Sequence, residues 1–556
     1  MDNNTLADLL FPNISNDISF YESKYPPRNL PEGVIVTRYA PSPTGFMHIG
    51  QICSALVAKT FARQTGGVFY LRIEDTDKKR ELADGVNLIV NDLKTFGIEF
   101  DEGMTGDAGE KGDYGPYLQS SRREIYHTFA KHLVAKGLAY PCFCSEENLE
   151  ASRTTQEASK ERQGYYGKWA KCRDFSIEDV AQKINAGEKF VLRLKSPGNY
   201  ERKVKFKDLI KGEIDFPEND IDAVLLKSNG LPVYHFAHLV DDYLMRTTHV
   251  IRGDEWLASV PLHVQLFRAF GFKPPRYAHI APIMKEDEGN KRKLSKRKDP
   301  EAAVSYYHQR GYPAEAVKLY LLNVINSNFE DWLEKELREK KEVSINDFKL
   351  DFKKCSVSGA LFDLNKLSNV SKNYISRLST QEVYASALAH AKEFDQEFAS
   401  ILEADQNYSL GVFGIERNGV KPRKDIACFG EVKNSVWYMY DELFSANAPE
   451  YQFQKITDKN DISRIVGTYL EKYYSEQDDK DVWFEKIKQL SAEFGYAREV
   501  KEYKASPDAY KGHVGDISTI LRVVITTQNM SPDLFEIMKL LGKNRIQERF
   551  GVFQGL

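Results

Sequence analysis

Residues 41–50 have the composition of a phosphate-binding turn, reading Pro-Ser-Pro-Thr-Gly-Phe-Met-His-Ile-Gly. They follow an apolar, β-branched run at 34–36 and precede an amphipathic stretch, a pattern that predicts a strand, a turn and a helix. Glycine lets the backbone approach phosphate closely, and a helix N-terminus offers unpaired N–H groups and a positive dipole end. At the predicted helix start, His48 is suited to hydrogen-bond a phosphate, and Gly50 leaves room for a nucleotide.

A second candidate phosphate-binding segment lies far downstream at residues 291–298, where six of eight residues are basic. It follows a sheet-like run at 280–284. A basic run is most often a solvated charged surface, which is the simpler interpretation of this one. Paired with the turn at 41–50, however, Lys293 and Lys296 favour a site in which two separate segments bind phosphate.

Together these two segments resemble the signature motifs of class I aminoacyl-tRNA synthetases, a His-Ile-Gly-His-type turn and a Lys-Met-Ser-Lys-Ser-type loop. A finer resemblance is to the glutamyl-tRNA synthetases of bacterial type, whose first motif is similar to residues 37–50 of this chain. The resemblance covers nearly the whole chain apart from about the first thirty residues and a stretch near 380–480. Further similar segments are residues 71–77, 234–242, 250–256, 510–516 and 521–523.

The resemblance implies an enzyme that activates L-glutamate with ATP and Mg²⁺ to glutamyl-adenylate, releasing diphosphate. Glutamate is then transferred to the 3′ end of tRNA-Glu, giving AMP, and tRNA must be bound before activation proceeds. In-line attack on the α-phosphate mainly requires positioned reactants and neutralised phosphate charge. The catalytic roles implied are those of His48, Lys293 and Lys296. The implied ATP site comprises His48, Gly50, Glu255, Lys293, Leu294, Ser295, Lys296 and Arg297.

A glutamate site needs cations for two carboxylates and an anion for the ammonium group. Arg38 and Arg252 each follow a strand-like run, and the arginine fork binds carboxylate through two hydrogen bonds. The resemblance implies that these arginines hold the substrate carboxylates and that Glu74 holds the α-amino group; which arginine takes the side chain stays open. The alternative for these residues is a structural ion pair, such as Arg38 with Glu74, which does not compete with the role in binding glutamate. The implied glutamate site comprises Arg38, Ala40, Ser42, Glu74, Tyr234, His238 (where many relatives have Asn) and Arg252.

Three cysteines predict a tetrahedral zinc site. Cys142, Cys144 and Cys172 provide three thiolates, and a fourth ligand is required. Relatives with zinc at this place add a tyrosine or a histidine, and the candidates here are Tyr165, Tyr166 and Asp174. The alternative is three buried free cysteines.

The composition is that of a soluble globular protein, with 28% charged and 42% hydrophobic residues among 556. No apolar run approaches a membrane span, and six cysteines do not make a disulfide framework in a chain of this length. We therefore expect a reduced, cytoplasmic protein that does not contact membrane, and a monomer. A net charge of −4 neither supports nor excludes tRNA, because a local basic face suffices for phosphate contacts.

A chain of this length predicts several domains. A strand at 34–39, a helix at about 48–64 and a strand at 68–73 form a β-α-β unit, which indicates a parallel sheet with ligand at the carboxyl ends of its strands. Sheet motifs resume at 233–235 after an apparent insertion. Further helices are predicted at 85–96, 261–270, 301–310, 313–323, 462–474, 483–494 and 532–541.

The fold class expected is an α/β Rossmann-like catalytic domain with an inserted acceptor-arm domain, followed by a mostly α-helical anticodon-binding region. Arg522, Arg545 and Arg549 are candidates for contacts with anticodon bases. The expected domains are an N-terminal extension (1–33), the catalytic domain (34–117 and 231–285), the inserted connective domain (118–230), a lysine-loop and stem-contact region (286–377) and the anticodon-binding domain (378–556).

Four alternatives were weighed against a glutamate–tRNA ligase. A glutaminyl enzyme usually has a Pro-Pro-Glu-Pro-Asn-Gly core where residues 40–45 read Ala-Pro-Ser-Pro-Thr-Gly. A shorter relative that modifies a tRNA base lacks the helical region, whereas more than 220 residues follow the lysine loop here. A non-catalytic tRNA-binding protein has no need of His48, Gly50, Lys293 and Lys296. A non-discriminating enzyme that also charges tRNA-Gln remains open.

Overall fold

The computed structural model describes residues 2–339, 343–419, 421–447 and 450–555. The chain divides into two compact units. Unit 1 is formed by Met1–Tyr306 with Val317–Asp363, and unit 2 by Tyr307–Ala316 with Leu364–Leu556. Within the described ranges, no helix is both long and apolar enough to cross a membrane.

Unit 1 combines helices with short strands. Its strands are β1 (Val36–Tyr39), β2 (Val68–Leu71), β3 (Glu102–Met104), β4 (Glu110–Lys111), β5 (Ala139–Cys142), β6 (Val191–Leu194), β7 (Lys203–Asp208), β8 (Gly212–Pro217), β9 (Val224–Leu226), β10 (His249–Gly253), β11 (Arg276–Ile280), β12 (Met284–Asp287) and β13 (Asn290–Lys293). Its first helices are α1 (Asn3–Leu10), α2 (Ile18–Lys24), α3 (Ile49–Arg63), α4 (Gly85–Thr95), α5 (Arg123–Ala135), α6 (Glu146–Ala158), α7 (Ile177–Asn185), α8 (Tyr234–Leu244) and α9 (Val260–Phe270). Farther along the chain, α10 (Val304–Arg310) begins in unit 1 and ends in unit 2, α11 (Ala314–Ile325) begins in unit 2 and continues in unit 1, and α12 (Phe329–Glu339) belongs to unit 1.

Parallel pairing organises the part of unit 1 that carries the site. β1 pairs with β2 in parallel, with Arg38 opposite Tyr70, and β10 pairs with β11 in parallel, with Arg252 opposite His279. The backbone N–H of Thr248 donates to Val36 O at 3.0 Å, which ties the start of β10 to β1. The predicted β-α-β unit is therefore confirmed, because α3 connects two neighbouring parallel strands.

Part of the range expected to be inserted forms a small antiparallel sheet in which β6 lies between β5 and β9, whereas β7 and β8 of that range join the sheet of β10 and β11. The first thirty-three residues show no clear periodicity in the sequence, yet they form α1 and α2. Leu6, Tyr21 and Tyr25 from this segment are buried in the same core cluster as Phe129 of α5. These residues therefore contribute to the core of unit 1.

Two sequence expectations are wrong in detail. Residues 233–235 do not return to the sheet, because Tyr234 begins α8, whose Phe236, Val240 and Leu244 recur at helical spacing and are buried. The sheet-like run at 280–284 is interrupted: β11 ends at Ile280 and Met284 begins β12 of a separate hairpin. Short apolar runs do not distinguish a strand from a buried helix by periodicity alone.

Unit 2 is helical over most of its described length, as expected for the C-terminal region. A single core cluster runs from Ile375 to Phe553. The predicted helix at 532–541 ends where Gly542 takes a positive φ of 71° within α23. The helices are α13 (Leu364–Ile375), α14 (Thr380–Phe394), α15 (Gln396–Ala404), α16 (Gln406–Gly414), α17 (Val432–Val436), α18 (Asp441–Ala446), α19 (Lys459–Thr468), α20 (Lys480–Glu493), α21 (Val500–Ala505), α22 (Val514–Thr526) and α23 (Leu534–Gly555).

Of the three arginines expected to contact anticodon bases, one is buried and two are partly buried. Arg549 is buried and donates to Ile525 O at 2.8 Å and to Asp441 Oδ1 at 3.2 Å, so the expectation is wrong for this residue. Arg545 Nε lies 2.7 Å from Asp441 Oδ2. Arg522 donates from Nε to Ser531 Oγ at 3.1 Å. For Arg522 and Arg545 the base contact stays a prediction.

Candidate active site

A cavity of about 630 Å³ in unit 1 lies at the carboxyl ends of β10 and β11 and beside the start of α3. Its position agrees with the general rule for ligands of parallel sheets. All eight residues expected to bind ATP line it, and they come from three separate stretches of chain. These are His48, Gly50, Glu255, Lys293, Leu294, Ser295, Lys296 and Arg297.

His48 is the N-cap residue of α3. Its backbone N–H donates to Gln51 Oε1 at 3.0 Å, which fixes the entry of the chain into the helix. Burial lowers the pKa of His48 to about 4, and the nearby charges of Lys296 and Lys293 act in the same direction. The imidazole is therefore neutral near pH 7, with one nitrogen able to donate and the other to accept.

Gly50 is required by the position of the His48 ring. A β-carbon at residue 50 would lie 3.0 Å from His48 Nδ1 and 3.1 Å from His48 Cε1. At contacts this short, the ring must shift by a few tenths of an ångström. The glycine thus serves the placement of His48 as well as the space available to a nucleotide.

Asp299 anchors the lysine loop, and the sequence analysis missed it. Its buried carboxylate accepts from Arg292 Nη1 at 2.6 Å and Nη2 at 2.8 Å, and from the backbone N–H of Ser295 at 2.9 Å. Lys285 Nζ lies 3.1 Å from the same carboxylate. These partners, above all Arg292, hold the pKa of Asp299 far below its usual range. The available signal was an acidic residue four positions after Ser295 in a basic run.

The alternative ion pair of Arg38 with Glu74 is not formed. Arg38 Nε lies 3.4 Å from Asp242, whereas Glu74 Oε1 accepts from Arg72 Nη2 at 3.1 Å. Arg72 and Glu74 are two residues apart along an extended segment, so their side chains lie on the same face. Asp242, two residues before the end of α8, also receives Arg72 Nη1 at 2.8 Å. Asp242 is not among the site residues predicted from the sequence.

Glu74 is a buried carboxyl with an altered proton affinity. Burial raises the pKa of Glu74 to about 7, although the charges of Arg72 and Arg38 act in the opposite direction. A carboxyl with this pKa is partly protonated near neutral pH. An ammonium group beside it would stabilise the ionised form.

Arg252 and Tyr234 meet directly, since Arg252 Nη1 donates to the Tyr234 hydroxyl at 2.9 Å. His238 is buried behind Tyr234, with the two rings stacked at 5.8 Å. Its Nε2 lies 2.8 Å from Tyr277 Oη, and its Nδ1 lies 2.5 Å from Asp242 Oδ2. Both ring nitrogens therefore contact protein groups, and a direct contact of His238 with glutamate stays a prediction.

The other two residues expected at the glutamate site lie in the turn after β1. Ala40 is partly buried and Ser42 is exposed. Their roles likewise stay predictions. Four buried polar residues lie around Arg252 and Arg38 and were not predicted from the sequence. Their available signal was the occurrence of a polar residue in an apolar segment. They are Asp208, Asp242, His263 and His279.

The three cysteines expected to bind zinc come together in unit 1. Their sulfur atoms lie within 4.8 Å of one another, and Cys144 Sγ is 3.6 Å from Cys172 Sγ. The hydroxyl of Tyr165 lies 3.3 Å from Cys142 Sγ and 3.4 Å from Cys144 Sγ. Among the three candidates for a fourth ligand, Tyr165 is thus the one in contact with the thiols.

Comparison with known protein families identifies the class of protein to which this chain belongs. The family model "tRNA synthetases class I (E and Q), catalytic domain" matches residues 34–368, and the model "Anticodon binding domain" matches residues 420–552. The chain belongs to the class I tRNA synthetases of this E and Q family.

Relatives within the family carry a more particular name. Glutamate–tRNA ligase from Clostridium perfringens is 48% identical over 552 residues, covering 99% of both chains. Glutamate–tRNA ligase from Acetivibrio thermocellus is 47% identical over 550 residues with the same coverage. A crystal structure of a glutamate tRNA ligase from Elizabethkingia meningosepticum, in complex with its amino acid, has a TM-score of 0.74 and 25% identity, covering 94% of this chain and 100% of that one. The resemblance to glutamyl-tRNA synthetases is confirmed.

Replacing Gly50 with alanine should lower the rate of ATP–pyrophosphate exchange at least tenfold, because the new β-carbon displaces the His48 ring. Gly467→Ala is the matched control: Gly467 also lies in a helix, and a β-carbon there meets nothing within 4 Å. Equal exchange rates for Gly50→Ala and wild type, with thermal melting confirming folded protein, would contradict the role assigned to this glycine.

The pKa of Glu74 predicts a pH-dependent KM for glutamate. Because the raised pKa lies at about 7, lowering the pH from 8 to 6 protonates the carboxyl and removes the partner of the substrate ammonium. The KM for glutamate should rise about tenfold over this range, while the KM for ATP stays nearly constant. Glu74→Gln should show a high KM at every pH. A pH-independent KM in the wild-type protein would exclude Glu74 from the site.

Proposed function

We propose that this chain ligates L-glutamate to tRNA-Glu in two steps, through an enzyme-bound glutamyl-adenylate. The observation that carries the proposal is a shared cavity: the His48 turn and the lysine loop both line it. Gly253 lines it as well, next in the chain to the buried Arg252. A phosphate-binding region is thereby adjacent to a carboxylate-binding one.

In the first step the α-carboxylate of glutamate attacks the α-phosphate of ATP, and pyrophosphate leaves. The neutral His48 ring donates a hydrogen bond to phosphate oxygen, and Lys293 and Lys296 take up the charge that develops on pyrophosphate. Mg²⁺ enters bound to the ATP phosphates, as is usual for a cation that keeps several waters. Leu294, Ser295, Arg297 and Glu255 complete the walls of the ATP site.

Glutamate is bound by opposite charges. Arg38 and Arg252 receive its carboxylates, and Glu74 receives the ammonium group. Tyr234 and Ser42 add hydrogen bonds, with Ala40 lining the same turn. In the second step a hydroxyl of the terminal ribose of tRNA attacks the activated carbonyl, and AMP leaves.

The rest of the chain serves tRNA in this proposal. Residues 118–230 contact the acceptor arm, residues 286–377 the stem, and residues 378–556 the anticodon. The enzyme acts as a cytoplasmic monomer. The non-catalytic alternative is disfavoured because His48, Gly50, Lys293 and Lys296 surround one cavity.

The decisive test is aminoacylation with labelled glutamate and labelled glutamine, on purified tRNA-Glu and tRNA-Gln separately. Glutamate on tRNA-Glu is the expected result, with Lys296→Ala reducing the rate at least a hundredfold through loss of pyrophosphate stabilisation. Glutamate on both tRNAs would make the enzyme non-discriminating. No charging of tRNA-Glu by folded protein would refute the proposal.

A structural zinc ion fits the cysteine cluster. Two sulfurs bound to one tetrahedral zinc at the usual 2.3 Å lie about 3.8 Å apart, and a sulfur and an oxygen about 3.5 Å apart. The observed distances of 3.6 Å between Cys144 and Cys172 sulfurs, and of 3.3 and 3.4 Å from Tyr165 Oη to the Cys142 and Cys144 sulfurs, match this arrangement. Cys142, Cys144, Cys172 and Tyr165 would hold the ion, which would stabilise the fold locally without taking part in the reaction.

Native mass spectrometry tests this site. The wild-type protein should carry one zinc per chain, Cys142→Ser should lose it, and Tyr165→Phe should bind it more weakly against a chelator. Cys428→Ser serves as the control, since Cys428 is a buried thiol of unit 2 outside the cluster. Zinc-free wild-type protein after expression with added zinc would show that these are three buried free cysteines.

A further inference from the structure

Arg252 has unusual surroundings for a buried cation. In the described parts of the chain no carboxylate lies within salt-bridge distance of its guanidinium, although the side chain is buried. Its partners are neutral: Nε donates to His279 Nε2 at 3.0 Å, Nη2 lies 3.2 Å from His263 Nδ1, and Nη1 donates to Tyr234 Oη. Arg38 and Arg72, by contrast, are both paired with Asp242.

The Arg252 guanidinium determines which ring nitrogen of each neighbouring histidine carries the proton, because arginine only donates hydrogen bonds. His279 Nε2 must be the nitrogen with a lone pair, so the proton is on Nδ1, which lies 2.7 Å from Asp208 Oδ2. His263 Nδ1 must likewise accept, so its Nε2 donates to His235 Nδ1 at 2.9 Å. Two hydrogen-bonded chains therefore converge on Arg252.

Burial supports these neutral states. It lowers the pKa of His279 and His263 and brings that of His235 to about 4. Asp208 has the opposite preference: hydrogen bonds from His279 and from the backbone N–H groups of Lys211 and Ile210 lower its pKa in spite of burial. The imidazole of His279 is thus inserted between a carboxylate and a guanidinium, and it keeps those two charges from contact.

We propose that Asp208 with His279, and His235 with His263, are positioning residues that hold Arg252 in place while leaving its charge available for a carboxylate of the substrate. A carboxylate placed directly on Arg252 would orient it equally well, but it would compete with glutamate for the same fork. A neutral histidine orients the fork without that competition. The inference rests on the proposed function, since it concerns how the same site selects an amino acid with a carboxylate.

The inference predicts an unusual pattern in a double-mutant cycle. His279→Ala opens a hole between Asp208 and Arg252, and the buried charges attract each other across it. The KM for glutamate should rise at least tenfold, while the KM for ATP stays within twofold. Asp208→Asn alone should change the KM for glutamate less than threefold, because an amide oxygen still accepts from His279. The KM for glutamate of the double variant should be at least threefold lower than that of His279→Ala, because the competing charge of Asp208 is gone.

A merely structural role for these residues gives a different result. Removing both side chains would then damage the site at least as much as removing one, and the KM values for glutamate and ATP would change together. His279→Gln, whose side-chain oxygen can accept from Arg252, should restore the KM for glutamate to within threefold of wild type. His127→Ala is the control, being a partly buried histidine of α5 outside the site.

The measurement is tRNA-dependent ATP–pyrophosphate exchange with glutamate and ATP varied separately. An unchanged KM for glutamate in folded His279→Ala, or a double variant no better than the single one, overturns the inference. If His279→Ala does not fold, His263→Phe replaces it, since phenylalanine keeps the ring but accepts no hydrogen bond; its KM for glutamate should rise at least fivefold, and an unchanged value overturns the inference. A wild-type protein without exchange activity would instead refute the proposed function.

Discussion

The buried carboxylate of Asp242 holds the catalytic part of unit 1 together. It accepts from Arg72 Nη1 at 2.8 Å and lies 3.4 Å from Arg38 Nε and 2.5 Å from His238 Nδ1. These partners come from the first strand, from the end of the second strand and from α8 itself. Ion pairs removed from water stabilise little unless every member is satisfied, and the removal of one member leaves an uncompensated buried charge. Each member of this group therefore depends on the others for compensation of its charge.

The same balance of charges defines what the pocket can bind. Arg38 and Arg72 share Asp242, whereas Arg252 is held by histidines and a tyrosine. Glu74 is the acidic counterpart: within the described ranges Arg72 alone hydrogen-bonds its side chain, and burial raises its pKa. Among the described residues, Arg252 thus has no carboxylate partner and the Glu74 carboxyl has a single hydrogen-bonding side chain beside it. In the function proposed above, a zwitterionic amino acid with an additional carboxylate provides the partner for each.

On the nucleotide side of the site, the lysine loop is also held by a buried carboxylate. Asp299 binds Arg292 and the backbone of Ser295, and Lys285 lies beside it, so that the loop is fixed by residues other than its signature lysines. Lys296 donates to Phe46 O in the turn that precedes α3, and Lys293 contributes to the low pKa of His48. Two segments separated by some 250 residues are thereby joined at one cavity.

Much of this protein follows from the sequence by itself. The β-branched run, the Pro/Gly turn and the helical periodicity after it predicted a strand at 34–39 and a helix at 48–64, where the structure has Val36–Tyr39 and Ile49–Arg63. The eight residues assigned to ATP by motif all line one cavity, because such motifs record backbone geometry that depends on local residues. The helix predicted at 532–541 ends just before Gly542, whose positive φ interrupts α23, a conformation that glycine adopts without strain.

The tertiary structure decided which charges meet. The residue types allowed a pair of Arg38 with Glu74, but Arg38 hydrogen-bonds Asp242, some two hundred residues away along the chain. Similarly, Arg549 was expected to contact an anticodon base, yet its side chain is buried and hydrogen-bonds Asp441. Residues 233–235 lie at the start of a helix because the apolar residues that follow them are buried in the core. His263, His279 and Asp208 carry no motif, and only the packing of α9, β11 and β7 brings them to Arg252. Pairing between buried charges depends on distances of a few ångströms in three dimensions, which the order of residues along the chain does not contain.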